Sequence, residues 1–139
     1  MKVSALASGS SGNCFYIEHE KSAILIDAGI SAKRIIERLI SIKKNPSNIK
    51  AIFITHEHID HVRGADVFAR KFNIPIFATS KTIKNCFLCS DNHLINTIKN
   101  NETIKINNLE INAFPKSHSA ADPVSYMISA NKKVSVITD

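Results

Sequence analysis

The stretch Thr55-His56-Glu57-His58-Ile59-Asp60-His61 constrains this chain more than any other. It places three of the six histidines within six residues, directly after the apolar, β-branched run Ala51-Ile52-Phe53-Ile54-Thr55. Such a run suits a fully buried strand. In an extended segment, positions two apart point the same way, so His56, His58 and Asp60 are expected along one side. His61 joins them only if the chain turns at Asp60-His61, and Arg63-Gly64 permits that turn. The spacing divides the candidates into two imidazoles for one metal and a carboxylate plus imidazole for a second. Imidazole and carboxylate together suit borderline divalent ions, Zn²⁺ first, with Mn²⁺ or Fe²⁺ also compatible. The zincin pattern H-E-x-x-H is excluded, because position 60 is Asp.

Around this stretch the sequence reads as alternating strand and helix, then mostly strand. Lys2–Ala7 is an expected strand, closed by the turn cluster Ser8-Gly9-Ser10-Ser11-Gly12-Asn13. Cys14–Glu18 and Ala23–Ile26 follow as strands. Ser31 is an expected helix N-cap, with Ile35, Ile36, Leu39, Ile40 and Ile42 on one helical face through about Lys43. A helix over Ala65–Phe72, a strand over Ile74–Ala78 and a helix from Ser80 through about Leu88 come next. Strands are then expected at 94–98, 103–106, 109–114, 124–129 and 134–137. The order implies a mixed α/β layered domain.

Composition narrows the class. The 139 residues are 44% hydrophobic and 22% charged, a soluble globular balance with no run long enough to cross a bilayer. The N-terminus lacks the form of a signal peptide, and three cysteines (Cys14, Cys86, Cys89) make no disulfide framework, so a cytoplasmic location is expected. Cys86-Phe87-Leu88-Cys89 has C-x-x-C spacing without a second pair and reads as two cysteines on a buried helix turn. A formal charge of +6 favours an anionic partner, nucleic acid first.

H-x-H-x-D-H at the end of a buried strand resembles the signature of the metallo-β-lactamase superfamily. Further landmarks follow in order: Asp27 in Leu25-Ile26-Asp27-Ala28-Gly29, His118 in Lys116-Ser117-His118-Ser119, and Asp139 in Val136-Ile137-Thr138-Asp139. The resemblance implies an αββα sandwich, of which this chain would be the first half, a mixed sheet with helices on its outside. It also implies a dinuclear centre. His56, His58, His118 and Asp139 would hold the first ion, and Asp60, His61 and Asp139 the second. Asp27 would orient a ligand imidazole, and Asp60 would also accept a proton. Ser10 and Asn13 would sit near the substrate.

Val3 to Asn13 and Ser117 to Tyr126 are similar to the YycJ/WalJ-like subgroup. That likeness implies a phosphodiesterase, a 5′-to-3′ DNA exonuclease attacking through a metal-bridging hydroxide. Two departures stand out. Ser119 occupies a position where the subgroup usually carries an acidic residue. The superfamily also takes a last histidine from beyond the fourth motif, where this chain ends. Residues 1–139 are therefore expected to be the N-terminal part of a single domain in a longer protein, lacking its C-terminal half. Such a piece is expected to expose an apolar sheet face or an unpaired edge, to hold fewer than two tight ions, and to turn over little. Two other readings stand beside the nuclease: a thioester, lactone or β-lactam hydrolase on the same metal pair, or an inactive fragment.

Overall fold

In the computed structural model, which describes residues 1–88 and 92–138 less the side chain of Asn92, the architecture is built outward from one strand. All five residues of β3 (Ser22–Ile26) are buried. On one side β3 pairs antiparallel with β2 (Cys14–His19), which pairs antiparallel with β1 (Lys2–Ala7). On the other side lie β4 (Ile49–Phe53), β5 (Ile76–Ala78) and β6 (Ile95–Thr97), all parallel. Parallel neighbours need crossovers, and each of them carries a helix: α1 (Ala32–Ser41) joins β3 to β4, α2 (Ile59–Val62) and α3 (Ala65–Phe72) lie between β4 and β5, and α4 (Ser80–Asn85) lies between β5 and β6. A second, antiparallel sheet follows in the order β10-β9-β8-β7, with β7 at Thr103–Ile106, β8 at Leu109–Pro115, β9 at Val124–Ser129 and β10 at Lys133–Val136.

The large sheet is apolar on both faces because both are covered. Leu25, Ile52, Ile54 and Ile76 pack against Ile35, Leu39 and Phe68 of the helices. Ile17, Ile24, Ile26 and Phe53 pack against Ile111, Val124, Tyr126 and Ile128 of the small sheet. Phe53 stacks on Phe77 at 4.9 Å between centroids and meets Tyr126 edge-on at 5.5 Å. The layers run helices, sheet, sheet. Among the described residues no helix covers the outer face of the small sheet, so three layers of the expected αββα sandwich are present. No described helix is long and apolar enough to cross a membrane.

Several expectations need correction. Of the α1 face, Ile35 and Leu39 are buried, but Ile40 is 61% exposed. Ile40 lies five residues beyond Ile35, well over a quarter turn off the buried stripe. Ile42 stands past the end of the helix and is also exposed. Ser31 does cap α1, accepting from the Arg34 N–H at 3.3 Å. The strand before the histidines begins two residues early, so Ile54 and Thr55 lie beyond its end. Helix α4 spans Ser80–Asn85 with Thr79, not Ser80, as its cap. Cys86 has extended backbone and is half-buried rather than on a buried helix turn; Cys89 lies outside the described residues. The outer face of the small sheet is chiefly polar, carrying Thr103, Lys105, Glu110, Asn112, Ser129 and Lys133, so no broad apolar face is left open there.

Two loops approach so closely that a glycine is required between them. A Cβ on Gly29 would fall 1.6 Å from the Asp60 carbonyl oxygen and 2.7 Å from the Asn13 nitrogen. No side-chain motion relieves a backbone clash. Gly29→Ala is expected to destabilise the fold by about 3 kcal/mol or more, read as a urea midpoint shift. Gly9, whose Cβ would meet nothing but whose φ is +142°, provides the contrast: its alanine variant should cost only about 1–2 kcal/mol of backbone strain.

Candidate metal centre

The site is assembled where β3 and β4 end side by side. Asp27 follows β3 directly, is fully buried, and has a left-handed backbone with φ +60°. A buried carboxylate needs donors on its oxygens. Thr55 supplies two, its N–H to Oδ1 and its hydroxyl to Oδ2, both at 2.8 Å. His61 supplies a third through Nδ1, 2.7 Å from Oδ2. That bond sets the imidazole so that Nε2 faces the Asp60 carboxylate at 3.3 Å.

The chain turns earlier than the extended reading required. His58 is the N-cap of α2 (Ile59–Val62), so Asp60 and His61 sit on a helical turn and not on a continued strand. The turn is fastened to the neighbouring loops by backbone bonds. The Asp60 carbonyl accepts from Asn13 N–H at 2.7 Å, the His61 carbonyl from Ala28 N–H at 2.8 Å, and the Asn13 carbonyl from Gly29 N–H at 2.7 Å. Asn13 is itself buried, and its side-chain nitrogen lies 3.4 Å from Asp60 Oδ2 and 3.3 Å from His61 Nε2.

Two of the three other clustered histidines have their orientation set from outside the cluster. His56 donates from Nδ1 to the Thr55 hydroxyl at 2.9 Å, which leaves Nε2 as the inward atom. His58 donates from Nε2 to the Ser119 carbonyl at 3.1 Å, which turns Nδ1 inward. His118 comes from the loop between β8 and β9, and its Nε2 lies 3.4 Å from His58 Nδ1. Ligand atoms of His56, His58 and His118 all fall within 4.8 Å of one another. Outer partners of this kind fix tautomer and direction in metal-binding imidazoles.

The donor set fits a metal. Two nitrogens each about 2.0–2.1 Å from a tetrahedral Zn²⁺ stand roughly 3.4 Å apart, and His58 Nδ1 and His118 Nε2 show that separation. His56 Nε2 is buried without a hydrogen-bond partner among the described residues, an arrangement that a cation satisfies. Burial, followed by the charges of His61 and Lys116, pushes the His56 imidazole down to about 2, so it stays neutral and able to donate a lone pair.

Thr55, Glu57, Ser119 and Lys116 complete the frame, and motif spacing assigned a role to none of them. Thr55 ties Asp27 to His56 through one hydroxyl, which also accepts from the Thr138 hydroxyl at 3.3 Å. Glu57 Oε1 accepts from Ala121 N–H at 2.8 Å and so anchors the His118 loop. Lys116 donates to the Thr138 carbonyl at 2.7 Å and hydroxyl at 2.9 Å. Ser119 acts through its carbonyl, a contact independent of whether its side chain is acidic. Their position within or beside the histidine motifs was the available signal. Ser10 is exposed and lines a hollow of about 310 Å³ beside Asn13. Asp139 lies outside the described residues.

Residues 7–108 match the metallo-beta-lactamase superfamily. The chain belongs to that superfamily. The match takes in Asp27 and the histidine run, and the fold adds His118. Among superfamily members, exodeoxyribonuclease WalJ of Streptococcus pneumoniae is 38% identical over 98% of this chain and 52% of its own length. Exodeoxyribonuclease YycJ of Bacillus anthracis is 34% identical over 100% of this chain and 54% of its own. The chain thus spans about half the length of the curated relatives it matches. A B3 metallo-beta-lactamase with an active-site glutamic acid superposes with a TM-score of 0.78 at 17% identity, over 92% of this chain and 56% of that one. A metallo-beta-lactamase from Cronobacter sakazakii gives 0.79 at 13%, over 91% and 58%. These likenesses establish the metallo-β-lactamase fold.

Among the described residues the Asp27 carboxylate hydrogen-bonds Thr55 and His61 alone, so its replacement tests orientation without deleting a candidate ligand. Asp27→Asn is expected to weaken Zn²⁺ binding by about 10–100-fold in competition with a chromophoric chelator. An unchanged affinity would show that the buried carboxylate does not orient the site.

Proposed function

We propose that the full-length protein is a dinuclear metal-dependent phosphodiesterase, a DNA exonuclease degrading from the 5′ end. The observation that carries the metal chemistry is the convergence of His56 Nε2, His58 Nδ1 and His118 Nε2 from two separated segments. DNA as the substrate is supported by likeness to two proteins named exodeoxyribonucleases and by the net charge of +6.

His56, His58, His118 and Asp139 would hold one ion, and Asp60, His61 and Asp139 the other. Zn²⁺ suits the nitrogen-rich set best, with Mn²⁺ or Fe²⁺ as compatible occupants. Such a pair supplies water of lowered pKa and positive charge against the phosphoryl oxygens. The chain's own residues supply direction. Asp27 and Thr55 hold His61 and His56 in the tautomers that point lone pairs inward. Asp60 accepts a proton at its carboxylate, within reach of the reacting centre. Asn13 and Ser10 border the adjoining hollow, where a phosphate or sugar of the strand would lie. A cytoplasmic location belongs to the same proposal, as does a single domain to which residues 1–139 contribute the first part.

The test is digestion of 5′-phosphorylated duplex DNA by the full-length gene product with Mn²⁺ or Zn²⁺ supplied. Mononucleotides should appear progressively from the 5′ end. Asp60→Asn and His118→Ala should each lower kcat/KM by at least about 100-fold, the scale of a lost acid–base or charge-stabilising group. Hydrolysis of a thioester such as a hydroxyacylglutathione, with DNA left intact, would contradict the nuclease reading. A 36% identity over 54% of the chain to a protein named hydroxyacylglutathione hydrolase makes that the informative competitor.

A further inference from the structure

Phe87 leaves 98% of its surface exposed, where an aromatic side chain ordinarily buries 150–250 Å². It stands just past the end of α4 and forms one wall of a hollow of about 280 Å³. Ile59, 59% exposed, and Val62 extend the apolar lining, while Glu57, Arg63 and Asn85 bring polar groups to it. The hollow adjoins the candidate metal centre, since its lining residues Glu57, Ile59 and Val62 lie between or beside the candidate ligands His56, His58, Asp60 and His61. Glu57 separates His56 from His58 in the chain, and its Oε1 holds Ala121 of the His118 loop.

We propose that this hollow is a stacking subsite for one unpaired base of the DNA strand, with Phe87 as the stacking ring. The inference rests on the nuclease reading above and names where the strand is gripped next to the metals. Three features select a base over other occupants. The first is shape and chemistry together: a base has apolar faces and an edge of N–H donors, which matches an open aromatic ring beside carboxylates. The second is Glu57, whose side chain borders the hollow as a hydrogen-bond acceptor; every base carries at least one ring or exocyclic N–H. The third is charge. Glu57 and Asp66 face one Arg63 around the hollow, and Asp66 is paired with Arg70 at 3.1 Å. That balance disfavours a phosphate. Stacking on an aromatic side chain tolerates any base, as stepwise degradation requires.

The chain contains no tryptophan, so Phe87→Trp introduces a lone reporter at the subsite. With chelator present to prevent cleavage, a 5′-phosphorylated single-stranded oligonucleotide should quench its fluorescence, saturating at the same concentration as the anisotropy of a labelled strand bound to the unsubstituted chain. Phe87→Ala should weaken that binding by about tenfold, and Phe87→Leu, which keeps the apolar volume without the ring, should weaken it nearly as much. In the full-length protein, Phe87→Ala should raise KM for DNA and leave hydrolysis of bis(p-nitrophenyl) phosphate unchanged. DNA binding by the unsubstituted chain with no quenching in Phe87→Trp, or with Phe87→Leu behaving as the parent, would overturn the subsite. Fluorescence that changes with protein concentration alone would instead assign the patch to a second copy of the chain, and likewise overturn it. Absence of any DNA binding by the full-length protein would remove the nuclease reading and this inference with it.

Discussion

The site depends on a carboxylate buried where solvent cannot reach it. The Asp27 carboxylate depends there on the three hydrogen bonds that Thr55 and His61 provide, since a buried polar group left without partners is strongly destabilising. Once paired, the same bonds organise everything around them. They hold the ends of β3 and β4 in register, orient His61 toward Asp60, and place the Thr55 hydroxyl to orient His56. The left-handed backbone at Asp27 is the conformational cost of turning the chain there, and Gly29, two residues on, admits the Asn13 and Asp60 backbones. The metal-ligand geometry is therefore a consequence of how two strands end.

The second sheet completes what the first begins. Tyr126 donates to the Ile54 carbonyl at 2.8 Å and Val124 N–H to the Thr55 carbonyl at 3.0 Å, both just past the end of β4. The same sheet delivers His118 on the loop between β8 and β9. Glu57 and Thr79 then pin that loop, the latter through the Asp122 carbonyl at 3.2 Å. Two imidazoles from one strand end and a third from the opposing sheet thus become a cluster only when the sheets are packed. A metal held by these three imidazoles would therefore have its binding coupled to folding.

Much of this was legible in the residues. Ala65–Phe72, Thr103–Ile106 and Val124–Ser129 carry strong periodic or β-branched patterns between clear breakers, and the elements form at those bounds. Elsewhere local pattern was ambiguous. The helix carrying Asp60 and His61 has four residues, too short for any periodicity, and it is held in place by tertiary bonds from Asn13 N–H to the Asp60 carbonyl and from Ala28 N–H to the His61 carbonyl. Ile40 is apolar yet exposed, because an isoleucine-rich stretch does not by itself say which angle of the helix faces the sheet. The roles of Thr55, Glu57 and the Ser119 carbonyl arise from partners between 28 and 64 residues away in the chain, so spacing within the motif could only suggest that they were near.

The central claim is that His56, His58 and His118 bind one ion together. X-ray absorption at the zinc edge, on the chain loaded with a single equivalent of Zn²⁺, measures this directly. The account predicts imidazole scattering from three nitrogens at about 2.0–2.1 Å, falling to two in His118→Ala. A spectrum that His118→Ala leaves unchanged, or one showing no imidazole shell, would contradict it.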